Sequence, residues 1–128
     1  YTASFTHYVN EAAQNGLIKA LALKPKTVYA DTTAYSAQDS CHYKGCLMAS
    51  GKRAYQGAIA CPRSIELGTR IGIDGKKYIC EDRTAKWVEQ KFGDTYDIFI
   101  GFTEEDYEIA KNYGRLVKEI KILNSLTP

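Results

Sequence analysis

No stretch of this chain approaches the ~20 consecutive apolar residues of a membrane-spanning helix. Charge of one sign is scarce too. Seventeen Lys and Arg face fifteen Asp and Glu, leaving a net charge of +2. The basic residues are scattered, in runs no longer than a pair such as Lys76-Lys77. A nucleic-acid partner needs a stronger basic patch than this. There is no C-x-x-C spacing for zinc, no glycine-rich phosphate loop and no Ser-His-Asp or Cys-His nucleophile pattern. Internal repeats and low-complexity tracts are also missing, so neither a metal nor an organic cofactor is expected.

What is present describes one small globular domain. The chain has 128 residues, 45% hydrophobic and 25% charged, enough for one real core. Four cysteines, Cys41, Cys46, Cys61 and Cys80, suggest two disulfides and an oxidising compartment. Three pairings are possible. Cys41–Cys46 across a tight loop and Cys61–Cys80 between strand segments is the expected one. A zinc site at Cys41, His42 and Cys46 is the rival. The chain begins at Tyr1, as expected of a processed, secreted product. Ten tyrosines exceed expectation, but Tyr serves cores, interfaces and sugar stacking alike.

Periodicity predicts a helix over residues 5–23. Phe5, Val9, Ala12, Ala13, Leu17, Ala20 and Leu21 share one face, and Pro25 stops it. This extension, residues 1–26, is a candidate for docking a partner or for self-association. Residues 27–128 then form the main domain. Strands are expected over 27–37, 57–62, 70–73, 77–82, 96–100 and 115–123. Asp74-Gly75 is a two-residue hairpin signal. A helical loop over 84–92 is expected to turn Trp87, Val88 and Phe92 inward. Thr103 is a good N-cap for a helix that opens with three acids and ends near Gly114. About six short strands without βαβ regularity suggest a closed or nearly closed barrel.

Two of these strands carry an unusual residue. Tyr78-Ile79-Cys80-Glu81-Asp82-Arg83 and Tyr96-Asp97-Ile98-Phe99-Ile100 each place an aspartate within or at the end of an apolar run. Asp is a poor strand former and costly to bury. Two such exceptions suggest carboxylates held on a rigid sheet facing one cleft. That arrangement suits acid/base chemistry on a glycosidic bond. A structural ion pair, for example of Asp97 with Arg83 or Lys86, is the plain alternative.

A set of short motifs, in order, resembles a known family. They are Thr33-Ala34-Tyr35-Ser36, Ala49-Ser50-Gly51-Lys52, Gly57-Ala58-Ile59-Ala60-Cys61-Pro62-Arg63, Leu67-Gly68-Thr69, Glu81-Asp82-Arg83, Tyr96-Asp97-Ile98-Phe99 and Tyr113-Gly114-Arg115. From about Thr27 to Leu123 the chain resembles the three-Asp (3D) domain family, which includes the C-terminal barrel of membrane-bound lytic transglycosylase A. The resemblance implies a mainly β fold: a six-stranded double-psi β-barrel, with a short helix before the last strand. It also implies a secreted enzyme that cleaves peptidoglycan. Asp97 matches the family's catalytic acid, and Asp82 its middle aspartate. The first aspartate's position holds Cys61, so two of the three acids are kept. Thr33, Tyr35, Lys52, Arg83 and Tyr96 lie in the matched motifs and are the implied glycan contacts.

Such an enzyme protonates the leaving oxygen, and the sugar's own 6-hydroxyl then closes a 1,6-anhydro ring. One carboxyl can serve as acid and then as base. Other readings compete with this one. A non-catalytic polysaccharide-binding or expansin-like module would use the same barrel. A structural or assembly protein would use the N-terminal helix. A two-carboxylate hydrolase would release reducing ends instead.

Overall fold

A computed structural model of the chain describes residues 25–39 and 45–123. The expected N-terminal helix, its docking role, and Cys41 and His42 of the rival zinc site lie outside the described residues. The described part is mainly β. Its six strands are β1 (Lys26–Tyr35), β2 (Ala58–Cys61), β3 (Arg70–Ile73), β4 (Lys76–Arg83), β5 (Thr95–Phe99) and β6 (Leu116–Leu123). They close into a barrel in the order β1-β5-β2-β4-β3-β6. Two neighbouring pairs are parallel, β1 with β5 and β2 with β4; the other pairings are antiparallel. Closure leaves no free sheet edge.

Alternation along each strand sorts the side chains. One set fills the barrel: Ile59, Cys61, Ile71, Ile73, Cys80, Tyr96, Ile98, Ile120 and Ile122. Branched residues dominate because they suit a pleated, crowded interior. A second cluster lies on the other face of β1, β5 and β2. It joins Tyr35, Ala58, Ala60 and Phe99 to Ala37, Cys46, Met48 and Ala54 of the long β1–β2 excursion. β2 is therefore buried on both faces. Its outward residues, Ala58 and Ala60, are small, which lets the covering segment come close.

The local signals act as their chemistry requires. Asp74 (φ 52°) and Gly75 (φ 76°) make the left-handed pair that a tight β3–β4 hairpin needs. Helix α1 spans Lys86–Phe92 and α2 spans Glu104–Tyr113. Thr103 and Asp106 form a reciprocal capping box at the start of α2. The inward turn expected of Trp87, Val88 and Phe92 is corrected: α1 buries no residue, and Trp87 is 63% exposed. At seven residues, α1 is too short to present a full apolar stripe to the barrel. Among the described residues no helix is long and apolar enough to cross a membrane.

Cys61 and Cys80 form a disulfide that ties β2 to β4 inside the barrel. Cys46 is disulfide-bonded as well. Its expected partner, Cys41, lies outside the described residues.

Candidate active site

The two strand-borne aspartates lie in one row across the barrel. Thr33 of β1 pairs with Asp97 of β5, and Asp97 pairs in turn with Ala60 of β2. Ala60 pairs on its other side with Asp82 of β4. Directly paired residues project to the same face of a sheet. A register shift between Ile59 and Ala60 skips Glu81, and this β-bulge brings Asp82 into the row. Two strand spacings put roughly 9–10 Å between the two aspartate backbones. Ala60 is the residue between them in the row.

The carboxyl groups have different surroundings. Asp97 is partly buried, and its Oδ1 accepts a hydrogen bond from the Thr33 hydroxyl at 2.8 Å. Burial is the main reason its pKa is pushed up to about 6. The Thr33 hydrogen bond opposes the rise. Nearby Asp39 and Asp82 add to it, and Arg115 opposes it. Asp82 Oδ1 instead accepts from two backbone N–H groups, Ala49 at 3.0 Å and Arg83 at 2.8 Å. One carboxyl thus keeps its proton to a higher pH than an ordinary aspartate, while the other is fixed in place by backbone donors.

The turn that braces Asp82 explains the Ala49-Ser50-Gly51-Lys52 motif. Ser50 N donates to the Glu81 carbonyl, and Gly51 takes a positive φ of 88° to close the turn. Lys52 reaches Glu81 at 3.3 Å, where the buried Glu81 carboxylate also accepts from Tyr55 at 2.5 Å. The motif therefore anchors a covering loop to β4. Lys52 keeps most of its side chain in solvent, at 66% exposure.

Three other sequence expectations land differently. Arg83 NH1 donates to the carbonyls of Pro62 and Ile65, so its guanidinium ties down the loop after β2. Tyr96 is 1% exposed and belongs to the barrel interior, leaving no ring surface for a sugar. Alternation requires this, because Asp97 beside it faces outward. Tyr35 shares the face of β1 that carries Thr33, but its ring is packed edge-on against Phe99 at 5.3 Å between centroids. It is 9% exposed, and its hydroxyl has no hydrogen-bond partner among the described residues. Burial, then Asp82, then Asp97 push the phenol's pKa up.

Three residues absent from the sequence-based site border it. Arg115 donates to Asp31 and to the Thr95 hydroxyl, both at 2.9 Å, and lies 3.9 Å over the Phe92 ring. Asp39 accepts from the backbone N–H of Ser36 at 2.9 Å, on a helical turn over residues 37–39. Asp31 precedes Thr33 by two positions and shares its face. The Tyr113-Gly114-Arg115 motif was the available signal for Arg115. For Asp31 the signal was its alternation with Thr33 and Tyr35.

No group of His, Cys, Asp and Glu suited to a metal ion occurs among the described residues. A cavity of about 660 Å³ is lined by Gln56, Tyr78, Phe99, Asp106 and Ile109, and neither Asp82 nor Asp97 lines it. No protein-family model matches the chain, and no curated protein matches it.

Proposed function

We propose that this chain is a double-psi β-barrel of the three-Asp type that cleaves peptidoglycan glycan strands as a lytic transglycosylase, outside the reducing cytoplasm. The observation that carries the reading is Asp97, an outward-facing, partly buried carboxyl with its pKa pushed up to about 6. A group so placed keeps its proton to a higher pH than an ordinary aspartate, up to about 6, and can give it to a glycosidic oxygen. The barrel supports the fold reading through its six closed strands and two parallel pairs. The disulfides support an oxidising compartment.

In this reading Asp97 protonates the leaving oxygen as the anomeric C–O bond breaks. The sugar's 6-hydroxyl then bonds to the anomeric carbon, and its proton returns to Asp97. Asp82, fixed by two backbone donors, stabilises the positive charge that develops on the ring. Thr33 orients Asp97. Arg83 and Tyr96 leave the list of glycan contacts and become supports of the loop and core.

Purified cell walls incubated with the protein should release muropeptides with 1,6-anhydro ends, seen by mass spectrometry. Asp97→Asn should release at least a hundredfold less. Reducing ends instead would identify a hydrolase. A second reading has its own observation. Where the family's first aspartate stands, Cys61 is fully buried in a disulfide and supplies no carboxylate. Glycan binding without bond cleavage over long incubation would identify a binding module.

A further inference from the structure

The Tyr35 hydroxyl is the one buried side-chain polar atom without a hydrogen bond among the described residues. Buried polar groups are nearly always paired, so an exception needs a reason. Here the ring is fixed by packing: Tyr35 meets Phe99 edge-on, and Phe99 meets Phe102 in the same way at 5.3 Å. Tyr35 clusters with Ala60, the residue that pairs with both Asp97 and Asp82, and these two carboxyls are the charged groups that act on its phenol. Its pKa is raised, so it stays a neutral donor throughout the working range.

The Asp97 carboxyl has one cation acting on it. The groups acting on Asp97 are Thr33 of β1, Asp39 of the helical turn, Asp82 of β4 and Arg115 ahead of β6. Two are anions. The one cation is already engaged by Asp31. When Asp97 loses its proton, a third negative charge appears beside Asp39 and Asp82. A fixed neutral donor at that point stabilises the new anion more than the starting acid.

We propose that Tyr35 is the positioning residue of this site, its hydroxyl donating a hydrogen bond to the Asp82–Asp97 pair as Asp97 gives up its proton. The proposal rests on the reading of Asp97 as the acid. Tyr35 moves no proton itself. The proton passes from Asp97 to the glycosidic oxygen and later returns from the sugar's 6-hydroxyl. Catalytic hydrogen bonds that are long in the free protein commonly tighten in the reacting complex.

The test is Tyr35→Phe, with the Asp97 carboxyl titrated by carbon NMR in both proteins. Removing a donor to the anion should raise the Asp97 pKa by about half to one unit. On purified cell walls kcat should fall about tenfold, with KM within about twofold. An unchanged Asp97 titration overturns the proposal, as does an unchanged kcat in a wild type that cleaves. If Tyr35→Phe does not fold, 3-fluorotyrosine at position 35 keeps the shape and is the stronger donor. It should lower the Asp97 pKa, and no change or a rise overturns the proposal. If the wild-type protein cleaves no glycan, the catalytic reading fails, yet the titration still decides the Tyr35 contact.

Discussion

Asp97 sits where ionisation is penalised, and the penalty has a sign that can be measured. Its folded pKa, about 6, lies above the ordinary 3.8, so the fold binds its proton more tightly than the open chain does. The stability from this group is full below about pH 4 and is lost as pH rises through about 6. At neutral pH the ionised carboxylate therefore opposes folding. Asp97→Asn removes that opposition while keeping an acceptor for Thr33. It should stabilise the protein by about 1–2 kcal/mol at pH 7.5, with the partial exposure of the group allowed for. Urea unfolding at pH 7.5 and pH 4 checks this, and the difference should close at the lower pH. Arg115→Gln should act oppositely on the acid. Removing a nearby cation raises the Asp97 pKa, so the alkaline limb of the pH–rate profile should move upward by a fraction of a unit. Of these residues, Asp97 was legible in the sequence because Asp is so unusual in a strand. Arg115 was marked by its motif alone, and its role was not, because that depends on β6 returning beside β1.

Among the elements, the strands were readable to within one or two residues. Their alternation and the Asp74-Gly75 turn both depend on near neighbours. The β4 bulge was not readable, since its extra residue is defined only against β2. Without it, Glu81 would take the place opposite Ala60. Tyr96 shows the complementary case. Its neighbour Asp97 drew it into the expected site, but period-two alternation sends adjacent residues to opposite faces. The disulfide lies beneath this same row, and it closes a loop of 19 residues. Replacing both Cys61 and Cys80 by Ala should cost about 2–4 kcal/mol, measured as a lower urea midpoint. The α2 cap makes a smaller contribution: Thr103→Ala should cost about 1 kcal/mol by the same measurement.

For the whole molecule, the arrangement of two cores explains why a polar row can be held so firmly. The barrel interior fixes the strands, and the β1–β2 excursion covers their outer face from Tyr35 to Ala60. Asp97 is partly buried yet outward-facing. Closed-barrel architecture was legible from six short strands without helical crossovers. The parallel pairs were not, because a crossover leaves no local mark. The central claim is that Asp97 acts as a proton donor to a glycan. The most direct measurement is the rate of 1,6-anhydro end release from purified cell walls across pH 4.5–8, for the wild-type protein and Asp97→Asn. The account predicts a wild-type rate that falls as pH rises through about 6, and almost no release by the variant at any pH. Equal release by the two proteins would contradict it.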